Sequence, residues 1–544
     1  MLAPVMKGRR AHSGGGRPPP GRRWPCRLRD LPFWAIVCCD LCMSIVPAED
    51  SPRTFLGGLA SMGRRRPGRL TSITMLLVAG LYAGALAMRS HPAIALDDAA
   101  ITFRYAERLA DGKGFTYNDH ERVLGASNPL YVIVLALATR TGAGVEKAAT
   151  VIGVVAYGVC IALVVLISTK LAGAVAGVFA GLVLTADAYF RFQAVSGLEV
   201  GFALALAMGA IAVLEYRRAA LAGILAGLAV WTKLDALALI AAVVCAEWVQ
   251  NRRLPTIFLV GSAAASLPWF MWSTWYFGSP FPQSLHAKLA IGEGEIFDPL
   301  WVVRFLLEPS RWHLTVLAAC AMVTPNRLGR AGATTRAVLI GWATAHVTAY
   351  SVVNLGAPYP WYLAAPVAPI AVLAGITVAW MAMATAFVRV DSRRWHVLPV
   401  AILGFLCVSG AAARTTAQWG RRPIEPWEAF EADRRAAGRF LRQHASPGEI
   451  LECAYGWPAF ESGLPTNDSA GLNSKARLQP VSYAVEHGYP LDGGAVAPTA
   501  PAGMVPLATF DSASRRFPGH SWFVVFGRPG SAVAKNVDRS RLAR

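Results

Sequence analysis

Long apolar runs separated by short polar segments dominate the sequence from residue 71 to residue 413. An α-helix needs about 20 mostly apolar residues to cross the hydrocarbon core of a bilayer. The pattern predicts a polytopic α-helical membrane protein. We expect about eleven spans, at residues 71–89, 148–169, 172–190, 199–216, 219–232, 235–249, 255–277, 312–325, 337–353, 361–387 and 396–413. The two short runs within 219–249 are also compatible with a broken hairpin.

Basic residues between these runs indicate the orientation of the chain. If every run crosses once, one side receives Arg64–Arg66, Lys170, Arg217, Arg218, Arg252, Arg253, Arg327, Arg330, Arg336, Arg389, Arg393 and Arg394. The short loops on the other side carry only Arg191, Lys233, Lys288, Arg304 and Arg311. Cytoplasmic loops are enriched in Lys and Arg. We therefore predict a cytoplasmic-membrane protein with a cytoplasmic N-terminus and an extracytoplasmic C-terminus.

One apolar segment, Pro129 to Thr139, is too short to be a span. A helix rises about 1.5 Å per residue against a core about 30 Å thick. If this segment crossed, the basic residues after it would change sides and the charge bias would disappear. We predict a re-entrant or juxtamembrane helix within a long first outer loop, residues 90–147, and long ordered loops are often functional.

The two ends of the chain differ from the apolar middle. Residues 1–62 are rich in Gly, Pro and Arg. We expect them to be a disordered leader, or to precede a true translation start near Met62. The apolar run Leu31 to Pro47 is also compatible with a signal peptide. Residues 63–417 form the transmembrane domain, and residues 418–544 are polar. Two strand patterns, at 448–454 and 521–527, and a helical pattern at 428–444 predict a small extracytoplasmic α/β domain.

Composition agrees with a membrane protein and argues against other classes. Only 16% of the residues are charged and 54% are hydrophobic, whereas soluble domains have about 25% charged residues. The net charge of +19 is concentrated in the leader and the short loops, and no basic face with aromatic platforms predicts nucleic-acid binding. The nine cysteines lie mostly in the leader and within apolar runs, so they do not predict a disulfide framework.

The first outer loop contains the sharpest cluster of chemical groups, in LDDAAITFRYAERLADGKGF (96–115). Either Asp97 or Asp98 could simply cap a helix, but two adjacent aspartates exceed that need. Arg104 follows Asp97 by seven residues, and Tyr105 follows Asp98 by seven, so each pair shares one helical face. A carboxylate at the membrane surface can act as a general base towards a hydroxyl.

Further candidates lie at the outer ends of other runs, and each has a simpler structural explanation. Asn128 in GASNPLY suits a turn, Glu199 in SGLE suits a helix N-terminus, and Lys233 with Asp235 suits an interfacial ion pair. His286 and Lys288 end YFGSPFPQSLHAK, where cations could bind a lipid-linked phosphate or Lys288 could extend to the interface. Trp361 and Tyr362 in GAPYPWYLAAP are typical of an interfacial aromatic belt.

The order of these motifs resembles a known family. DDAAITFRYAERLADGKGFTYNDHERVLGASNPLY is similar to the first outer loop of C-type (GT-C), polyprenyl-phosphate-dependent glycosyltransferases, and most of all to the mycobacterial terminal arabinofuranosyltransferase group. SGLE, KLD, GSPFPQSLHAK and the tail segment GWPAFESGLPTNDSAGLN follow in the order of that group. The sequence departs from the pattern of that group at two places. Ala100 stands where a tyrosine is usual, and the junction between two predicted spans reads Thr232-Lys233-Leu234-Asp235.

The resemblance implies an inverting transfer of a sugar from a polyprenyl-phosphate carrier to a cell-envelope glycan, with arabinofuranose favoured and mannose next. It implies Asp97 or Asp98 as the base, and His286 and Lys288 near the donor phosphate. Because Arg104 shares a helical face with Asp97, we add it to the predicted phosphate site. The remaining outer-face candidates are predicted to bind substrate, namely Asn128, Glu199, Lys233, Asp235, Trp361 and Tyr362. No cofactor is assigned, but metal use varies in the superfamily, so a divalent ion held by Asp97 and Asp98 stays open. A multi-span transporter is the main alternative, but it predicts polar broken helices at the midplane rather than polar groups at one face.

Overall fold

The computed structural model describes residues 80–81, 83–85, 95–119, 121–293, 298–308, 311–324, 330–354, 359–387, 426–454, 456–474, 477–491, 494–496, 498–516 and 521–536. The predicted leader 1–62, most of the span 71–89 and the whole span 396–413 lie outside these residues.

Helices make up most of the described chain as far as residue 387. In chain order they are α1 Asp97–Ala110, α2 Pro129–Arg140, α3 Val145–Ala172, α4 Ala174–Ala186, α5 Ala188–Val195, α6 Val200–Glu215, α7 Ala219–Thr232, α8 Leu237–Asn251, α9 Thr256–Phe277, α10 Gln283–Glu293, α11 Trp301–Leu306, α12 Trp312–Cys320, α13 Arg330–Val352 and α14 Val367–Phe387. Short 3₁₀ turns, Leu234–Ala236 and Pro360–Leu363, precede α8 and α14.

Three of the described helices are long and apolar enough to cross a membrane: α3, α9, and α8 together with its preceding 3₁₀ turn. The pair α4 and α5 passes the same test together, with a bend of 66° between them. Shorter apolar helices include α2, α6 and α7. Most of the predicted apolar runs that fall within the described residues are helical, as expected for a polytopic α-helical membrane protein.

Two segments bear on the predicted span boundaries. Helix α2 has 12 residues, about 18 Å at about 1.5 Å per residue, so it is too short to cross, as the sequence predicted. Helix α12 has only 9 residues, and turns follow it up to Thr324. The predicted span 312–325 is therefore wrong as a continuous helix, because its apolar run continues in turns after Cys320.

At one end of the bundle, residues next to loops that were predicted to be cytoplasmic contact one another. Lys170, near the end of α3, donates to the carbonyl oxygen of Glu215 at the end of α6 (2.7 Å) and lies 3.4 Å from its carboxylate. The Glu215 carboxylate also accepts a hydrogen bond from Thr335 in α13. The ends of three helices therefore meet where the charge pattern predicted a common side.

The polar C-terminal part folds as an α/β unit around a mixed sheet. Its strands are β1 Ile450–Cys453, β2 Thr466–Asp468, β3 Val481–Leu491, β4 Gly494–Val496, β5 Val505–Phe510 and β6 Trp522–Gly527. Their order is β2-β1-β3-β6-β5, with β4 paired to β3. Its helices are α15 Pro426–His444, α16 Gly456–Ser462, α17 Ser512–Arg516 and α18 Ala532–Asn536. The predicted strands at 448–454 and 521–527 and the predicted helix at 428–444 are confirmed as β1, β6 and α15.

This C-terminal unit, called the tail below, packs directly on the first outer loop. Trp457 in α16 is fully buried, and its ring lies edge-on to Phe103 of α1 with centroids 6.1 Å apart. Arg435 of α15 makes a two-pronged contact with Glu146 at the start of α3, at 2.8 and 2.7 Å. Burial of such aromatic groups is a large stabilising contribution, so the tail is joined firmly to the membrane bundle.

Candidate active site

One face of helix α1 contacts the tail, and Asp97 is the first residue of that face. The two carboxylate oxygens of Asp97 accept hydrogen bonds from the backbone N–H groups of Gly456 and Trp457, each at 2.9 Å. These N–H groups begin α16, where a negative charge is favourable. Burial raises the pKa of Asp97, while the nearby Arg434 acts in the opposite direction. Both oxygens of Asp97 are therefore engaged in holding the tail.

Arg104 lies on the same face of α1 and binds the other end of α16. Its guanidinium donates to the carbonyl oxygens of Ala459 (2.5 Å), Leu464 (2.7 Å) and Tyr117 (2.9 Å). It also donates to the Asn118 side chain at 3.2 Å, and the residue is only 6% exposed. These bonds use all three guanidinium nitrogens and connect the tail to the first outer loop. Ala100, fully buried on this helix, packs against Gly456, which leaves no room for a tyrosine.

Asp98 points instead into a solvent-accessible cleft, and its side chain is 37% exposed. One carboxylate oxygen lies 3.8 Å from the Nζ of Lys288 in α10. Lys288 in turn donates to the Tyr362 hydroxyl at 2.9 Å, and its ammonium lies 5.4 Å from the centre of the Tyr362 ring. Tyr359 contributes a second aromatic ring at 5.5 Å. A carboxylate and a lysine held by aromatic rings thus face the same space.

Tyr105, on the Asp98 side of α1, orders the next wall of the cleft. Its hydroxyl donates to the Val123 carbonyl oxygen at 2.7 Å and accepts from the Gly125 N–H at 2.9 Å. These bonds fix the start of the segment GASNPLY, whose Pro129 opens α2 at a position that suits proline. The seven-residue spacing between Asp98 and Tyr105 therefore places the Tyr105 hydroxyl where it holds the loop beside the cleft.

A second ion pair lies deeper in the cleft. Lys233, between α7 and the 3₁₀ turn, contacts the Glu199 carboxylate at 3.1 Å. Asn128 donates to the other oxygen of Glu199 at 2.8 Å and is itself hydrogen-bonded to Thr102 of α1 at 3.0 Å. Glu199, Asn128 and Thr102 are all buried. A buried charge pair is tolerated only when its remaining groups are hydrogen-bonded, and this network satisfies that condition.

Behind the cleft, α13 supports Tyr362 in a way that the sequence pattern did not indicate. The Tyr350 ring stacks on Tyr362 with centroids 5.2 Å apart, and its hydroxyl donates to Asp235 at 3.0 Å. The ring of His346 lies 2.6 Å from the Tyr362 carbonyl oxygen. Sequence reasoning missed Thr102, Tyr350 and His346, since a single Thr, Tyr or His within a helix carries no distinguishing local pattern.

The cleft brings together most of the residues predicted from sequence. Its lining includes Asp98, Asn128, Glu199, Lys233, Lys288, Trp361 and Tyr362. It does not include Asp97 or Arg104, which bind the tail, or Asp235, which lies behind Tyr362. His286 is exposed on α10 and is not part of the lining either.

The aspartate pair does not form a metal site in this geometry. Within the described ranges, no group of three His, Cys, Asp or Glu side chains is arranged to hold an ion. Both Asp97 oxygens already accept backbone hydrogen bonds, and the two aspartates face different sides of α1. The residues present therefore do not fit a divalent ion shared by Asp97 and Asp98.

A bundle of apolar helices, an ordered first outer loop and a tail packed on that loop together define the GT-C fold of polytopic membrane proteins. ArnT from Cupriavidus metallidurans, in the apo state, shares this fold with a TM-score of 0.55 and 14% identity over 85% of this chain and 98% of that one. The same protein bound to undecaprenyl phosphate matches with a TM-score of 0.52 and 16% identity, over 74% of this chain and 86% of that chain.

An archaeal structure shares the fold as well. The oligosaccharyltransferase AglB from Archaeoglobus fulgidus, in complex with an inhibitory peptide and a dolichol-phosphate, matches with a TM-score of 0.52 and 10% identity, covering 76% of this chain and 69% of that one. No protein-family model matches the sequence, and neither does any curated protein. At these identities the likeness concerns the fold.

Proposed function

We propose that the protein is an inverting glycosyltransferase that moves a sugar from a polyprenyl-phosphate carrier to a hydroxyl of a cell-envelope glycan. The observation that carries this proposal is the pairing of Asp98 with Lys288, 3.8 Å apart in an open cleft. The Asp98 carboxylate can take a proton, while the Lys288 ammonium neutralises the charge of a phosphate. Structures with the same fold are bound to undecaprenyl phosphate and dolichol-phosphate, which supports a lipid phosphate as the leaving group.

Asp98 acts as the general base in this proposal. It takes the proton of the acceptor hydroxyl as the oxygen attacks the anomeric carbon, and the bond from that carbon to the phosphate oxygen breaks. The electron pair leaves with the polyprenyl phosphate, and the configuration of the sugar is inverted. Asp98 suits this role better than Asp97, because its carboxylate faces the cleft and is not bound by backbone N–H groups.

Lys288 and Tyr362 stabilise the departing phosphate. Burial lowers the pKa of Lys288, but Asp98 and Tyr362 raise it by more, so the pKa is above its usual range and the ammonium keeps its charge. A cation placed where negative charge develops lowers the barrier of such a step. His286, exposed on the same helix, remains a candidate for the outer part of the phosphate site, whereas we assign Arg104 to holding the tail.

The deeper network binds the sugar. Glu199, Lys233 and Asn128 present a carboxylate, an ammonium and an amide in one fixed arrangement, and Trp361 provides an apolar wall. Asp235 acts indirectly, by fixing Tyr350 behind Tyr362. Arabinofuranose is the favoured sugar and mannose the next, on the motif resemblance alone.

The charge pattern supports a cytoplasmic-membrane location with the cleft on the outer side. Lys170 and Glu215 mark the end with basic loops, and the cleft residues lie at the opposite ends of the same helices. The prenyl chain would lie among the spans, and the acceptor would enter from outside the cell membrane.

A transfer assay with the purified full-length protein tests the proposal. Polyprenyl-phosphoryl arabinofuranose and polyprenyl-phosphoryl mannose are each supplied with a synthetic oligosaccharide acceptor, and mass spectrometry follows both the glycan and lipids that co-purify. We expect one donor to extend the acceptor by one sugar and a polyprenyl phosphate to co-purify. Absence of both, with a correctly folded protein, would reject the proposal.

A further inference from the structure

The tail contributes a residue to the lining of the active-site cleft. Leu472 lies in the loop after β2 and faces the same space as Asp98, Ser127 and Lys288. The other lining residues come from the membrane bundle and the first outer loop. The tail is therefore part of the site rather than a separate module beside it.

Asp468 fixes the shape of this loop. Its carboxylate accepts hydrogen bonds from the backbone N–H groups of Ala470 (2.9 Å), Leu472 (3.1 Å) and Asn473 (3.0 Å). It also accepts one from the Asn473 side chain at 2.7 Å. Four bonds to one side chain define where the backbone of Leu472 lies.

Two contacts hold the loop against the first outer loop. Asn118 accepts from the Thr466 N–H at 3.0 Å and donates to its carbonyl oxygen at 2.8 Å. At Gly125 the backbones of the two loops come so close that a Cβ atom on residue 125 would lie 2.8 Å from the Leu472 carbonyl oxygen. Glycine is needed here because any side chain would push the loop away from the cleft.

The direction of approach distinguishes acceptor from donor. The lipid chain of the donor must remain among the spans, and its phosphate belongs at Lys288 and Tyr362. The tail is a polar α/β unit outside the apolar helices, so a ligand that contacts it comes from the aqueous side. Sugar rings have apolar C–H faces that pack against aliphatic side chains, while their hydroxyl groups can point towards Asp98.

We propose that residues 468–473 form one wall of the acceptor site, with Leu472 as a specificity-determining residue and Asp468 as a positioning residue. This inference rests on the proposed function, since it assumes transfer to a glycan hydroxyl. It goes beyond that function because it assigns acceptor selection to the tail and donor binding to the bundle.

Steady-state kinetics of Leu472→Ala test this division. The acceptor KM should rise about 5-fold to 30-fold, as expected when an apolar contact worth about 1–2 kcal/mol is lost, while the donor KM and the slow hydrolysis of donor by water stay unchanged. Leu472→Met should restore most of the acceptor affinity. Val505→Ala, which truncates an exposed aliphatic side chain of β5 outside this wall, serves as the matched control and should behave as the wild type.

Asp468→Asn provides an independent readout. Its amide would face backbone N–H donors, so the loop should shift and the acceptor KM should rise without a change in donor KM. If both Leu472→Ala and Asp468→Asn transfer sugar with unchanged acceptor KM, or change both KM values equally, the inference is overturned. A wild type that transfers nothing to any acceptor would instead count against the proposed function.

Discussion

Two neighbouring aspartates on one helix face different partners. Successive residues of a helix point about 100° apart, so Asp97 and Asp98 cannot face the same space. Asp97 binds the backbone of the tail at 2.9 Å, whereas Asp98 faces Lys288 across the cleft. The sequence offered both as bases, and only their different surroundings separate the two roles.

Replacing Asp98 by Asn should remove the base and little else. We expect kcat to fall about 10²-fold to 10⁴-fold, the usual contribution of a general base, with a donor KM close to that of the wild type. Circular dichroism and thermal unfolding should match the wild type. Asp97→Asn is the matched comparison, and it should lower thermal stability more than Asp98→Asn does. Full activity of Asp98→Asn would exclude it as the base.

Lys288→Ala should weaken binding of the donor. The ammonium is held by the Tyr362 hydroxyl at 2.9 Å and compensates the charge of the phosphate, and charge-assisted hydrogen bonds of this kind contribute about 1.5–3 kcal/mol. We expect the donor KM to rise about 10-fold or more, measured with a fixed acceptor concentration. Lys113→Ala, which changes an exposed lysine in the first outer loop away from the cleft, should leave the donor KM unchanged. An unchanged donor KM in Lys288→Ala would remove that residue from the phosphate site.

At the scale of elements, helix α1 connects two parts of the chain that are far apart in sequence. One face carries Asp97 and Arg104, which bind the two ends of α16, and the other carries Asp98 and Tyr105, which shape the cleft. Docking of the tail and the shape of the cleft are thus coupled through one rigid helix.

Arg104→Leu should detach the tail. The change leaves the carbonyl oxygens of Ala459 and Leu464 buried without their donor, and each unsatisfied group costs about 1–3 kcal/mol. We expect a lower Tm and faster cleavage of the tail in limited proteolysis. Arg515→Leu in α17 is the control, because the Arg515 side chain is 74% exposed, its partner is Asp511, and surface ion pairs contribute little. Equal behaviour of the two variants would contradict this role.

The junction between α15 and α1 should make stability depend on pH. The pKa of the Glu431 carboxyl group is raised to about 7, because burial and the nearby Asp97 raise it by more than Arg434 lowers it. A carboxyl group whose pKa is higher in the folded protein binds its proton more tightly there, so stability should fall as pH rises from about 4.5 to about 7. Glu431→Gln should flatten this part of a Tm-against-pH curve, and Glu308→Gln, at an exposed position, should not. An unchanged slope in Glu431→Gln would exclude this group as the source.

The sequence predicted the local features well and the long-range contacts poorly. The runs at 219–232 and 255–277 became α7 and α9 almost residue for residue, because helix periods and apolar length are local properties. The seven-residue spacing from Asp97 to Arg104 correctly predicted a shared face. Its partners, however, lie more than 350 residues away in the tail, and no local pattern encodes such a contact. The same reason hid Leu472 and Tyr350 from the candidate site.

At the scale of the whole molecule, the two ends of the bundle differ in chemistry. One end joins Lys170, Glu215 and Thr335, and the other holds the cleft and the docked tail. The charge bias predicts that these two ends lie on opposite sides of a membrane, because it depends only on where basic residues fall along the chain.

Thiol labelling in intact cells should report the orientation. In a background without the native cysteines, Arg253→Cys and Lys113→Cys place single thiols at two exposed loop positions. A membrane-impermeant maleimide should label Lys113→Cys directly and Arg253→Cys only after the membrane is permeabilised. Lysed cells, in which both should react, are the control. Direct labelling of Arg253→Cys in intact cells would reverse the predicted topology.

The contact between Asp97 and the start of α16 also bears on how the protein is made. Asp97 is synthesised 359 residues before its partner Gly456, so the bundle can insert while the cleft still lacks its last wall. With the proposed function and orientation, activity would begin only after the tail has been exported and has docked. A chain that stops short, or whose tail is cleaved outside the cell, would remain in the membrane as an inactive protein, so docking of the tail would make activity depend on completed synthesis and export.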